Sequence, residues 1–272
     1  CKSENLEGIT IEIAKILVKI FKEFYDIKLD IKKPNDIMIK DKKVGGILTE
    51  SKVDCFEINN KNQMDALFEF LDGITIIIMY KFEFIIPQKY INTKRIFNFH
   101  GGNLRFNRGA HAMVRSILNM DDETVLSLYE LSDKIDLGCL IEEYKIQLSK
   151  KETVSDINKK LQQGIPFLLS ALNLYLEGKI QGQIISDGIY YPKIEKKDFT
   201  IDLKNDSILV MDAKLRSQVD YFGAIVIING IEKRIHTWKL QSDANQKQET
   251  IITNDSIYVS DGKQCLIMYI DD

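Results

Sequence analysis

Asn98-Phe99-His100, followed downstream by Asp136-Leu137-Gly138, brings an amide, an imidazole and a carboxylate into one stretch of chain. That set suits reactions in which an oxygen gains negative charge while a nucleophile sheds a proton, acyl-type transfer to an amine among them. Such a transfer passes through a tetrahedral adduct bearing an oxyanion, and the incoming ammonium must lose protons. An amide can donate to the oxyanion and an imidazole can take a proton. Residues 95–99 read as a strand, and side chains on a strand repeat every two residues. Asn98 and His100 therefore point the same way. Asp136 can reach the imidazole or a bound water and hold the correct protonation state.

The elements that must position these groups follow from periodicity. Residues 8–26 predict an amphipathic helix, with Ile9, Ile13, Ile16, Ile20 and Phe24 three or four apart. Strands are expected at 28–32 and 36–40, then at 44–48 after the turn Asp41-Lys42-Lys43. From about residue 52 strands (53–58, 76–80, 95–99) alternate with a helix at 63–71, a pattern that predicts a parallel sheet with crossovers. A helix over 109–119 and strands at 125–130 and 140–146 come next. Thr153-Val154-Ser155-Asp156 is a capping box opening one long helix to about Leu176. Beyond Gly178 short runs at 207–210, 223–228, 234–238, 249–252 and 257–259 are separated by Asn229-Gly230, Asn254-Asp255 and Asp261-Gly262, which predicts a small all-β tail.

The chain has 272 residues, 37 basic and 40 acidic, for a formal charge of -3. That balance gives no footprint for a nucleic-acid binder. No apolar run is long enough to span a bilayer, and Lys2, Glu4 and Glu7 interrupt any signal-peptide core. Four scattered cysteines without CxxC point to reduced thiols in a cytoplasm, with neither structural zinc nor disulfides. The first residue is Cys rather than Met, as expected of a fragment. His111 reads as a helix-start residue, and His236, beside Trp238, as structural.

The stretch from Asn98 to Gly138 resembles the superfamily of methionyl-tRNA, glycinamide ribonucleotide and sugar N-formyltransferases. Those enzymes commonly show N-x-H, a loop ending in Arg-Gly and then D-x-G, here with Arg108-Gly109 between the two motifs. The resemblance implies a Rossmann-like α/β core using 10-formyltetrahydrofolate, with Asn98 and His100 stabilising the oxyanion. Asp136 would handle protons through His100 or water. Residues 79–87 look like the family segment whose backbone lines the pterin pocket, which nominates Tyr80, Phe84, Ile85 and Ile86 for the cofactor. Tyr190-Tyr191-Pro192 and His100-Gly101-Gly102-Asn103 are more similar to the sugar branch. A nucleotide-linked amino sugar is then the acceptor, with Arg108, Tyr190 and Tyr191 binding it, ahead of tRNA. Three positions depart from the family pattern: Leu137 for Thr, Asn103-Leu104-Arg105 without Pro, and Asp212-Ala213-Lys214 where an Arg-Ala pair is frequent.

The opening segment resembles a different family. Pro34-Asn35-Asp36 followed by Lys42-Lys43-Val44-Gly45-Gly46-Ile47-Leu48 is similar to the K-W-P-N-D and K-x-x-G-I-L signatures of biotin–protein ligases, implying an anion-cradling Lys43 and an acidic Asp36. That family's G-R-G-R loop is missing. The organisation expected is a ligase-like α+β fragment (1–51), a formyltransferase core incomplete at its N-terminus (52–178) and a β-rich domain (179–272). An absent opening strand would leave sheet edge groups exposed and predicts impaired turnover. Alternatives of other classes are a biotin–protein ligase remnant, taking ATP and biotin, and an inactive folate-binding module.

Overall fold

A computed structural model of the chain describes residues 60–82, 84–242 and 247–271 in full, together with the backbones of three earlier strands. The helix expected at 8–26 and the strand expected at 53–58 lie outside the described residues. The chain divides into two compact units, residues 1–74 with 84–90, and residues 75–83 with 91–272.

In the first unit β1 (Asp30–Lys32), β2 (Asp36–Ile39) and β3 (Lys42–Gly46) form an antiparallel sheet in that order. The register Asp36↔Gly46 and Met38↔Lys43 is interrupted by an irregularity at Ile37/Met38. Helix α1 (Met64–Phe70) follows, inside the expected 63–71, and buries Met64 and Phe68. The Phe68 ring stacks on Tyr90 at 3.7 Å between centroids. Asp65 receives Lys89 at 2.6 Å and the Tyr90 hydroxyl.

The second unit is built on a five-stranded mixed sheet, ordered β4-β5-β7-β8-β9. Its strands are β4 (Ile76–Tyr80), β5 (Arg95–His100), β7 (Glu123–Leu131), β8 (Gly138–Gln147) and β9 (Gln183–Ile185). Only β4 and β5 are parallel; β7, β8 and β9 each run antiparallel to the strand before them. The parallel pairing expected of the strands at 76–80 and 95–99 is found between β4 and β5, but it does not extend to the rest of the sheet. The helix between β5 and β7 is α2 (Ala112–Leu118), and β7 returns against β5 in the register Phe97↔Glu130 to His100↔Ser127. Gly109, expected to open the helix, instead ends the short strand β6 (Arg108–Gly109), paired parallel with β10 (Tyr190–Tyr191).

One sheet face is apolar. Phe97, Phe99, Leu126 and Leu128 pack with Val114 and Ile117 of α2, and with residues of α3 (Val154–Gln162) and α4 (Ile165–Leu176). The capping box at Thr153 is present, but the long helix is broken in two. A Cβ on Gly164 would fall 2.1 Å from the Tyr144 ring, and Pro166 sits in the first turn of α4, where its missing N–H does least harm.

The tail is not all-β. Ser207, expected to start a strand, caps α5 (Ile208–Gln218) by accepting from Val210 N at 3.3 Å. Asp212, Arg216, Ser217 and Gln218 are buried on this helix alongside its apolar residues, so it shows no amphipathic stripe to read. β11 (Thr200–Ile201), β12 (Ala224–Ile228) and β13 (Ile231–Ile235) form one sheet. β14 (Thr237–Ser242), β15 (Gln248–Ile252), β16 (Ser256–Asp261) and β17 (Gln264–Tyr269) form another, ordered β14-β17-β16-β15. Asn229 and Gly230, both with φ positive, close the β12–β13 hairpin as that dipeptide predicts. The single strand expected at 234–238 is divided at His236, whose Nδ1 meets Asp271 Oδ2 at 2.5 Å. No helix among the described residues is long and apolar enough to cross a membrane.

Candidate active site

On the opposite face of the five-stranded sheet, alternation along β5 places Asn98 and His100 side by side. Their cross-strand partners on β7 are Tyr129 and Ser127. His100, the last residue of β5, is buried. Its Nε2 lies 2.9 Å from the Asn107 carbonyl. A carbonyl only accepts, so Nε2 carries the proton and Nδ1 is the basic nitrogen. Nδ1 faces Asp136 Oδ1 at 3.9 Å, beyond a direct hydrogen bond.

Asp136 arrives from the loop joining β7 to β8. Its backbone is left-handed, φ 47°, a conformation Asp tolerates better than most residues. The carboxylate thereby turns back over the sheet. Oδ1 accepts the Tyr129 hydroxyl at 2.8 Å and Oδ2 accepts Gly109 N at 2.8 Å. Gly138 lets the loop close: a Cβ there, at φ 150°, would sit 2.1 Å from the Glu130 carbonyl oxygen. Aspartate to turn the chain and glycine to let the strands meet is the physical content of the D-x-G spacing.

Sequence reasoning missed Tyr129. It stands between the two motifs, receiving Asn98 Nδ2 at 3.1 Å while donating to Asp136. Burial, reinforced by the Asp136 charge, pushes its hydroxyl well above the usual phenol value. The available signal was a tyrosine on a strand whose neighbours Leu126, Leu128 and Leu131 mark it for burial, since a buried phenol needs a partner. Also missed were Asn107, whose carbonyl fixes the His100 tautomer, and Glu143. The Glu143 carboxylate accepts from Asn103 at 3.1 Å and lies 3.0 Å from Ser127 Oγ, which is also 2.8 Å from the Gly102 carbonyl. These contacts tie the loop after His100 to the sheet.

The positions that depart from the expected pattern are engaged within the chain. Leu137 and Leu104 are buried in an apolar cluster with Tyr129, Leu140 and Ile185, a floor beneath the site. Asp212 bonds Arg216 at 2.7 Å and the Trp238 indole at 2.9 Å. Lys214 reaches the Thr200 carbonyl and Asp206. This segment is engaged internally.

Arg108 and Tyr190 are brought together by β6–β10 pairing, the guanidinium 5.9 Å from the ring centroid. Arg108 spends its terminal nitrogens on the Ile135 and Gly188 carbonyls, at 3.2 and 2.7 Å, so it braces the Asp136 loop. Tyr190 is half-exposed, while Tyr191 lies under Arg115, 4.9 Å from the guanidinium. The Tyr80 side chain points to the apolar face, its hydroxyl 2.9 Å from Asn158 Oδ1. Only its backbone is left to serve a ligand on the other face. Phe84, Ile85 and Ile86 belong to the first unit, Ile85 exposed and Ile86 buried. Asp36 and Lys43 lie on β2 and β3 of that unit, their side chains outside the described residues.

No family model matches the chain. It is 28% identical over 205 residues to a methionyl-tRNA formyltransferase from Nitrosospira multiformis, covering 72% of this chain and 65% of that one. A second, from Pelagibacter ubique, is 25% identical over 83% of this chain and 74% of its own length; with one from Coxiella burnetii the match spans half of the relative. The chain thus spans about half to two thirds of the length of the first relatives it matches. Its fold is shared with HypX from Aquifex aeolicus in complex with tetrahydrofolic acid (TM-score 0.62, 16% identity, 76% of this chain and 36% of that one). It is shared too with WlaRD, a sugar 3N-formyl transferase solved in the presence of dTDP and 5-N-formyl-THF (TM-score 0.54, 17% identity, 74% and 76%). The N-x-H and D-x-G motifs thus meet at one place in a chain similar in sequence to methionyl-tRNA formyltransferases and in fold to HypX and WlaRD.

Proposed function

We propose that this site transfers a formyl group from 10-formyltetrahydrofolate to an amine. The observation that carries the reading is the meeting of Asn98, His100 and Asp136 on one sheet face, with Nδ1 of His100 left as the basic atom. The donor set fits such a cosubstrate. One N–H of the Asn98 amide is taken by Tyr129; the other has no protein partner among the described residues and can donate to an oxygen that gains negative charge. 10-Formyltetrahydrofolate supplies the activated formyl carbon. The amine attacks that carbon while His100 Nδ1 takes its proton, with Asp136 at 3.9 Å beside the resulting imidazolium. The formyl C–N bond to the folate then breaks and the proton passes to the departing nitrogen, giving tetrahydrofolate and the N-formyl product.

A nucleotide-linked amino sugar is the acceptor we favour. His100-Gly101-Gly102-Asn103 and Tyr190-Tyr191-Pro192 are similar to the sugar branch, and the half-exposed Tyr190 ring offers a face for stacking. The -3 net charge lacks the basic surface a tRNA would favour. Initiator methionyl-tRNA is the second reading, because the curated relatives are methionyl-tRNA formyltransferases.

The test is formyl transfer from 10-formyltetrahydrofolate, with dTDP- and UDP-amino sugars and methionyl-tRNA as separate acceptors. Turnover of a sugar nucleotide with weak salt dependence supports the first acceptor; tRNA turnover falling steeply with salt supports the second. His100→Ala should lower kcat roughly 10²–10⁴-fold. A variant with unchanged kcat would remove His100 from the mechanism.

A further inference from the structure

We propose that Tyr129 is a positioning residue of this site, its hydroxyl fixing which atom of the Asn98 amide meets the substrate and holding the Asp136 carboxylate beside His100. The purpose of that arrangement rests on the formyl-transfer reading; the wiring rests on geometry alone.

A phenol has one hydrogen to give. Asp136 Oδ1, 2.8 Å away, belongs to an acceptor-only carboxylate, so the Tyr129 hydrogen goes there. The Tyr129 oxygen then has only lone pairs to offer Asn98, and the amide must present Nδ2, the atom found at 3.1 Å. An amide turned the other way would set its carbonyl oxygen against those lone pairs. The direction of the whole chain, Asn98 to Tyr129 to Asp136, is therefore set by the carboxylate charge. The second carboxylate oxygen is held by Gly109 N at 2.8 Å.

The ring is locked as well. Tyr129 is 2% exposed and packs with Leu104, Leu137, Leu140 and Ile185, surroundings in which a satisfied polar chain is strong and an unsatisfied one costly. Its raised pKa keeps the hydroxyl a donor across the working pH range. The residue need not touch substrate. Its role is to leave the remaining Asn98 N–H aimed consistently, and misaligned donors cost rate more than binding.

Tyr129→Phe keeps the ring and removes only the hydroxyl. In the full-length chain we expect kcat to fall roughly 10–100-fold, with KM for both substrates changed by less than about twofold. A purely structural residue would give losses independent of Asn98. Here the loss should be smaller when Tyr129→Phe is added to Asn98→Ala than in the wild-type background, because the share exerted through Asn98 is already gone and only the hold on Asp136 remains. A separate readout needs no turnover: hydrogen exchange of the Asn98 side-chain amide, followed by NMR, should quicken in Tyr129→Phe. Wild-type protein inactive with every acceptor would sink the formyl-transfer reading, while the exchange measurement would still decide the wiring. Full kcat in Tyr129→Phe, additive losses with Asn98→Ala, or unchanged amide exchange would each overturn the proposal.

Discussion

At the scale of single residues, this site shows how little of a motif is chemistry and how much is backbone. Of the D-x-G triplet, Asp136 offers a carboxylate, Leu137 packs the floor and Gly138 permits close approach to Glu130. Gly138→Ala should therefore disable the site without touching an ionisable group. Its Cβ would fall 2.1 Å from a carbonyl oxygen that cannot move freely, and its φ of 150° is open mainly to glycine. We expect a loss of roughly 2–4 kcal/mol in urea unfolding and a kcat reduced with it. A stable, active alanine variant would show that the loop can relax. The motif residues Asn98, His100 and Asp136 were legible because each carries an unusual group at a recognisable spacing. Tyr129 was not, because a tyrosine on a strand reads first as packing.

Among elements, α5 carries the most structure that pattern alone could not reveal. Its buried Asp212–Arg216 pair faces the Trp238 indole on β14, while Arg216 also donates to the Glu152 carbonyl ahead of α3. One guanidinium thus links the helices behind the site to the C-terminal strands. Arg216→Ala would strand a buried carboxylate, at a cost of roughly 3–5 kcal/mol. The urea midpoint should drop accordingly, and Arg216→Lys should recover little of it because a single ammonium cannot reproduce the fork. Loss of less than about 1 kcal/mol would mean that Asp212 finds another partner. The division of the expected helix 154–176 has a similar origin: only the Tyr144 ring, contributed by a distant strand, explains why residue 164 must lack a side chain.

For the whole molecule, acid sensitivity should centre on Glu152. Burial pushes this carboxyl up, but Lys160 at 2.5 Å and the Ser149 backbone and hydroxyl outweigh burial and hold it at about 2, below its ordinary 4.5. A group depressed on folding contributes stability above its unfolded value and loses it as pH falls through the folded one. The contribution, on the order of 2–3 kcal/mol, should be complete above about pH 5 and vanish toward pH 2. Glu152→Gln should flatten that part of the stability–pH curve. A variant with the wild-type slope between pH 5 and 2 would shift the source of acid sensitivity elsewhere.

The sequence by itself determined the strands at 76–80 and 95–99, the capping box at Thr153 and the Asn229-Gly230 hairpin. All of these depend on interactions within a few residues, which local spacing records. The tertiary structure decided the antiparallel direction of β7, the break at Gly164, the burial of α5 and the linkage of Asn98 to Asp136 through Tyr129. Each of those is fixed by a partner far away along the chain, and hydrogen bonds and steric limits of that kind leave no periodic trace in the segment they constrain.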